Sequence, residues 1–363
     1  MSSLHRASSS FRERLRYSLK KTALGLIDIT GANSLFANRY SGTGVIVMFH
    51  EVVREPRGQL GQGVTPQDLD YAIRLLRRRG RDIVDLDTAL NRLQAGDPRP
   101  FAVLTFDDGY RNNLTQALPI LEDHNAPATI YVPTGMPTAQ LDAWWLGLRQ
   151  LFLEHNRLEI EPMDRVYMAD DRATKAAGFR EVIAWVWDDF SRVNAFGETY
   201  RRYGLSMEAL VRCHAMSETE LQHIHQSPLI TIGGHTTAHF PLALLETDQV
   251  RREIADNRSF LQNLLQDPID HFAYPFGRPA IDGEREAAIV RDLGFKTAVT
   301  TDVGGLFETH KNDPYLWPRE TGEYDLNNAS ALRNAERGVY RALKSRFGSP
   351  IANDPRLRPH VVV

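Results

Sequence analysis

The chain alternates between short apolar runs and longer amphipathic stretches. GVIVMFHEV, beginning at Gly44, and FAVLTFDDGY, beginning at Phe101, are continuous apolar runs that end in polar residues. Runs of this length, bounded by glycine and proline, read as buried strands. ATIYVPTG, SPLITIGGH, IDHFAYPFG and KTAVTTD repeat the form further along. Between them the apolar positions take helical spacing. TPQDLDYAIRLLRRRG is predicted to be capped near Thr65 and stopped at Gly80. DIVDLDTALNRLQAG starts as a short strand and becomes a helix, and NNLTQALPILEDHNAP, QVRREIADNRSFLQNLLQ and GEREAAIVRDLGF are helical. Strand and helix in alternation predict an α/β fold with parallel strands.

The rhythm changes after Gly135. LDAWWLGLRQLFLEH, KAAGFREVIAWVWDDFSRV and SETELQHIHQ follow one another with helical patterns. Residues 137–225 are therefore expected to form a helical insertion that returns to the scaffold at SPLITIGGH. Residues 1–40 read as a basic arm or helix and residues 41–330 as the interrupted main domain. Residues 331–363 read as a closing helix, from LNNASALRNAERGVYRALKSRF, with a loose tail.

Composition narrows the class. With 363 residues, 42% hydrophobic and 25% charged, the chain suits one large globular domain or one domain with an insertion. A net charge of -3 gives no electrostatic case for nucleic acid as a partner. Cys213 is the sole cysteine, which excludes an internal disulfide and a cysteine-rich metal site, and fits a reducing compartment. No stretch approaches the ~20 apolar residues of a membrane span. The first residues lack the compact apolar core of a secretory signal, so a cytoplasmic location is expected. Leu15, Leu19, Leu24 and Ile27 share a helical stripe among Arg14, Arg16, Lys20 and Lys21. That pattern fits a solvated helix packed on the domain, or peripheral contact with the inner face of an anionic membrane.

Three strand ends carry chemistry. Asp107 and Asp108 are adjacent like charges, which are costly together unless something positive sits beside them. Within a strand they would point to opposite faces; past its end, Gly109 permits a turn that brings both to one site. His235 and His239 stand four apart, so a helical turn would put them on one face to grip an ion. Joined by a carboxylate from another strand end, they leave coordination positions open, as catalytic zinc sites do. In HFAYPFG, Pro275 ends the strand and Gly277 lets the backbone turn, freeing the Phe276 amide N–H as an oxyanion donor.

TFDDGY, HTTAH and YPFG, in that order and at strand ends, resemble the polysaccharide deacetylases of carbohydrate esterase family 4, which carry the NodB-homology domain. The resemblance covers roughly residues 44–136 and 226–325, with VMFHEV and YLWPRE similar to flanking segments of that family. It implies a distorted (β/α) barrel with the site at its strand ends. It implies Asp107 as catalytic base, and Asp108, His235 and His239 as ligands of a divalent metal. Zinc is the leading ion, with cobalt, nickel or iron as alternatives. It also implies the Phe276 N–H as oxyanion donor and removal of N-acetyl groups from a glycan.

The chain departs from the family pattern in two places. Ala273 stands where the family places an arginine that orients the base, and Arg319 in WPRE is the replacement candidate. The late Leu-x-His that supplies the general acid is missing, which leaves His310 and His50 as candidates, His50 also as a residue lining the site. Trp144 and Trp145 suit either a core or a sugar platform, and His223 and His225 suit an exposed helix. Two other readings stay open: hydrolysis of another small amide or imide on the same scaffold, and a non-catalytic, metal-containing glycan-binding protein. An aspartyl phosphatase would instead require Asp-x-Asp spacing.

Overall fold

The computed structural model describes residues 22–55, 60, 63–277, 280–323 and 328–354. Its strands are β1 (Gly44–Phe49), β2 (Asp82–Ile83), β3 (Phe101–Phe106), β4 (Ala128–Val132), β5 (Arg157–Ile160), β6 (Arg165–Met168), β7 (Ile230–Gly234), β8 (His271–Ala273), β9 (Thr297–Val299) and β10 (Glu320–Thr321). Eight of them make one sheet in the order β10-β1-β3-β4-β7-β8-β9, with β2 beside β3. Every pairing in that sheet is parallel. The two ends of the order meet. Trp317 bridges Val299 of β9, and Glu320 then pairs with Val47 of β1. The sheet curls into a distorted barrel, as the alternation of strands and helices predicted.

Both faces of this sheet are covered, which explains its nearly unbroken apolar runs. Ile46, Val103, Tyr131, Ala273, Val299 and Trp317 fill the interior. Ala102, Leu104, Phe106, Ile130 and Ile232 face the surrounding helices. The period of two along β3 thus sends Val103 inward and Leu104 outward. The first covering helix, Pro66–Arg78, starts where expected: Thr65 and Asp68 form a capping box, with Pro66 in the first turn.

The insertion is mixed. Its helices, Trp144–Glu154, Arg172–Asp188, Phe196–Arg202, Met207–His214 and Glu218–His225, are accompanied by an antiparallel hairpin of β5 and β6. The all-helical expectation missed it. Leu158 and Ile160 are buried while Arg157 is exposed, a period of two too short to stand out beside the helical stretches. Asp164, with φ 49°, makes the turn. The insertion has its own core, in which Leu148, Leu151, Phe152, Ile160, Val182 and Phe196 are fully or almost fully buried.

The closing helix is also two, Asn328–Glu336 and Val339–Lys344. Gly338 separates them at φ 71°, where a Cβ would lie 2.4 Å from backbone atoms of Tyr40. At the other terminus, residues 22–29 are helical and Leu24 is buried, so this part of the arm does pack on the domain. Asp28 pairs with Arg333 through Arg333 Nε at 2.8 Å. Leu15, Leu19 and the rest of residues 1–21 lie outside the described residues, as does the tail from 355 to 363.

The insertion is fastened to the barrel by a buried ion pair. Arg149, on helix Trp144–Glu154, meets Glu51 just past β1, and their side chains are 4% and 3% exposed. Asn112 Nδ2 also donates to Glu51 Oε1 at 3.4 Å. Removing one partner leaves the other charged and buried. Arg149→Met is therefore expected to cost about 3–5 kcal/mol in urea unfolding. The double variant Glu51→Gln/Arg149→Met is expected to recover most of that loss.

Candidate active site

The chemistry-bearing residues converge at the C-terminal ends of the strands. β3 delivers Asp107 in extended register, and Asp107 N–H donates to Phe49 O at 2.8 Å. The alternation of side chains would then turn Asp108 away from the interior. Instead Asp108 takes φ 70°, a left-handed conformation uncommon for a residue with a Cβ. That single reversal brings two consecutive carboxylates to one cavity. The histidines meet by similar means. No helix forms between β7 and His239, so the expected helical turn is absent. Thr236 at φ 65° and His239 at φ 49° coil the loop instead, and the two imidazole rings lie 4.9 Å apart.

Asn257 secures this loop. It is fully buried on helix Thr247–Leu265. Its Oδ1 accepts the His235 N–H at 3.1 Å, and its Nδ2 donates to Val132 O at 2.9 Å and Thr236 O at 2.5 Å. Gly234 makes room for it, since a Cβ there would lie 2.7 Å from Asn257 Oδ1.

Asp108, His235 and His239 are all buried, and one ligand atom from each lies within 4.8 Å of the others. Asp108 Oδ1 sits 3.5 Å from His235 Nε2 and 3.2 Å from His239 Nε2. His235 Nδ1 contacts the Ala273 carbonyl at 2.7 Å, which assigns its proton to Nδ1 and leaves Nε2 as a lone-pair donor. Burial holds His239 below the ordinary imidazole value even though Asp108 pulls the other way. Burial would raise the Asp108 carboxyl, but the facing imidazoles of His239 and His235 keep it well below the usual carboxylate range. Asp108 Oδ1 is buried and takes no hydrogen bond among the described residues. Two imidazole nitrogens around an unsatisfied anionic oxygen fit a divalent cation.

Asp107 is kept apart from that cluster by Arg319. The guanidinium Nη1 and Nη2 donate to the two carboxylate oxygens, each at 2.7 Å, and Arg319 is 1% exposed. Its Nε donates to Thr300 O at 2.9 Å and its Nη1 also to Thr105 Oγ1 at 3.2 Å. Burial alone would raise the Asp107 pKa; the Arg319 charge and hydrogen bonds outweigh it and lower it. Arg319 therefore holds the base in this chain, approaching from the segment that closes the barrel.

A cavity of ≈ 370 Å³ opens over these groups. Phe276 lies on its wall at φ 59°, and no acceptor among the described residues takes its N–H. Its carbonyl accepts from Thr301 Oγ1 at 3.1 Å. Its ring meets His239 edge-on at 4.5 Å and Trp187 at 5.0 Å. His50 lines the same cavity. Its Nδ1 is shielded from solvent and 3.4 Å from Glu323 Oε2, while the backbone N–H donates to Glu323 Oε1 at 2.5 Å. Burial lowers the His50 pKa, but Glu323, with Asp108 and Asp107 behind it, raises it to about 10.

His310 does not belong here. It is fully buried in the short helix Glu308–Asn312, where Nε2 contacts Ala352 O at 2.9 Å and Nδ1 accepts the Phe307 N–H at 3.0 Å. Both nitrogens serve local backbone, so the expectation of an acid at this position fails. Sequence reasoning also missed Glu51, Tyr110, Arg149 and Glu323 on the cavity wall. Of these, Tyr110 had a signal in its place two residues after the paired aspartates, and Glu51 in its place at the end of the first apolar run. The two tryptophans divide. Trp144 is buried in the core of the insertion. Trp145 lines the cavity, donates from Nε1 to Tyr110 Oη at 2.9 Å and lies 5.0 Å from the His239 ring. His223 is exposed on its helix, as expected, but His225 is half-buried, with Nε2 3.5 Å from Asp267 Oδ2.

Comparison with known proteins agrees with this fold. The structure is similar to the Streptococcus pyogenes deacetylase PplD solved in complex with acetate. The TM-score is 0.53 at 18% identity, over 80% of this chain and 97% of that one. It is similar also to IcaB from Ammonifex degensii, with a TM-score of 0.52 at 18% identity, over 81% of this chain and 97% of that one. These likenesses establish the deacetylase (β/α) barrel fold. A comparison with curated proteins gave no match. The polysaccharide deacetylase family model matches residues 94–298, a span that runs from before β3, across Asp107, Asp108, His235 and His239, to β9, and the chain belongs to the polysaccharide deacetylase family.

Proposed function

We propose that the protein is a metal-dependent carbohydrate N-deacetylase that hydrolyses N-acetyl groups on a polysaccharide or its precursor. The observation that carries this reading is the bidentate Arg319–Asp107 pair beside the Asp108–His235–His239 cluster. A protein that only bound a metal and a sugar would not need a second, separately held carboxylate. A divalent cation held by Asp108, His235 and His239 would polarise the acetyl carbonyl and a water at neutral pH, zinc suiting this donor set best, with cobalt, nickel or iron as alternatives.

The chain's own residues supply the remaining steps. Asp107, kept ionised by Arg319, takes the proton of the attacking water. The Phe276 N–H donates to the oxygen that becomes negative as the carbonyl carbon turns tetrahedral, a contribution of about 3–4 kcal/mol. His50, protonated beside Glu323, gives its proton to the departing sugar amine. Trp145 and Phe276 form apolar walls that exclude water from around the acetyl methyl. Hydrolysis of another small amide or imide would use the same groups, and product analysis separates the two.

Acetate release from N-acetylated oligosaccharides measures the activity. Asp107→Asn is expected to keep the bound metal and lower kcat by about 10²–10⁴-fold; full turnover with unchanged metal content would remove the base. Arg319→Lys replaces a rigid two-pronged contact by a point charge. It is expected to lower kcat by about tenfold or more, with KM and metal content near wild type. Equal kcat in that variant would show that the base needs no guanidinium.

The pH profile tests the acid. His50 works when protonated, so activity is lost as pH rises through its pKa, raised to about 10. Glu323→Gln removes the main group that raises it, and the alkaline limb of kcat/KM is expected to move to lower pH. His50→Ala should abolish that limb. A limb unchanged in both variants would assign the acid elsewhere.

A further inference from the structure

We infer that the N-terminal helical unit is an interfacial anchor for a bilayer surface rich in anionic phospholipid. The observation is an apolar patch with nothing of its own chain upon it among the described residues. Ile29 and Leu35, each 83% exposed, are the most exposed large apolar side chains described, and Leu26 is 56% exposed. Leu26 and Ile29 are three apart in helix 22–29 and share a face, while Leu24 on the opposite face is buried. Helix Ser34–Tyr40 adds Leu35 and Phe36, and Phe36 stacks on Phe347 at 6.1 Å, itself 57% exposed. Side chains of this kind are normally scattered singly over a surface, and several gathered on one short stretch of chain mark an interaction site.

Charge decides the occupant. The acid of helix 22–29, Asp28, is neutralised by Arg333. Arg39 is exposed beside the patch and Arg346 exposed next to Phe347. The chain that leads into helix 22–29 carries Arg12, Arg14, Arg16, Lys20 and Lys21 against the single acid Glu13. Apolar side chains flanked by such a basic run suit the boundary of an anionic bilayer, where the rings and aliphatic groups enter the headgroup region and the cations meet phosphate. A second copy of the chain seated on this patch would face the exposed Arg39 and Arg346 with its own like charges, which disfavours it as the occupant. No helix among the described residues is long and apolar enough to cross a membrane, so the contact lies on the surface. Helix Ser34–Tyr40 runs directly into the start of β1 at Gly44, whereas the catalytic groups stand at the other ends of the strands. The anchor therefore leaves the cavity away from the lipid.

Sedimentation of the full chain with vesicles tests this independently of the catalytic reading. Binding is expected to phosphatidylglycerol/phosphatidylcholine vesicles, about tenfold weaker to phosphatidylcholine alone, and weaker again in high salt. The exposed triple variant Leu26→Asp/Ile29→Asp/Leu35→Asp should reduce binding about tenfold or more. Its Tm and its acetate release from a soluble oligosaccharide should match wild type. Arg14→Glu/Arg16→Glu should remove the preference for anionic lipid while leaving the patch intact. No sedimentation with anionic vesicles, or equal sedimentation of the triple variant, overturns the proposal. So does a dimer by light scattering that the triple variant dissociates.

Discussion

A carboxylate in a barrel interior must be balanced by positive charge, and here two adjacent carboxylates are balanced by different means. Asp107 is held by the Arg319 guanidinium in a two-point contact. Asp108 faces two imidazoles and has a buried oxygen with no hydrogen bond among the described residues. The separation matters because like charges this close would otherwise force one to take up a proton. One left-handed residue, Asp108, sets the split, and much of the surrounding structure serves to hold it. β3 is buried on both faces, the loop after β7 is fixed by Asn257, and the barrel closes through the segment that carries Arg319.

Arg319 shows how the same charge balance can be met from a different place in the chain. The position expected to supply the guanidinium holds Ala273, whose backbone carbonyl instead orients His235. Arg319 also crosses the core to Thr105 and Thr300, so the base and the barrel closure are secured by one side chain. The insertion adds a second layer. It places Trp145 and Arg149 on the cavity wall, with Arg149 bound to the Glu51 that follows β1. The cavity is thus a joint product of the barrel and the insertion.

Much of this was legible in the sequence for a physical reason. Strands buried on both faces make apolar runs, and the residues where those runs stop are the ones that reach the strand ends. His50, Asp107, Asp108, His235, His239 and Phe276 all stood at such stops. Features that depend on pairing across long separations were harder to read. Glu51 and Arg149 are 98 positions apart, and Asp107 and Arg319 are 212 apart. Arg319 was a candidate because a family position lacked its arginine; Arg149 and Glu323 had no comparable prompt. The β5–β6 hairpin and the break at Gly338 were lost to stronger helical patterns around them. His310 was misjudged because a polar-looking loop, FETHKND, packs inward and spends both ring nitrogens on backbone partners.

The most direct test is a crystal structure of the purified protein with anomalous data collected across the absorption edge of its bound metal. The account predicts one ion ligated by Asp108 Oδ1, His235 Nε2 and His239 Nε2, with Asp107 unligated and still paired with Arg319. An ion that recruits Asp107, or a refined structure in which these three side chains share no ion at all, would contradict it.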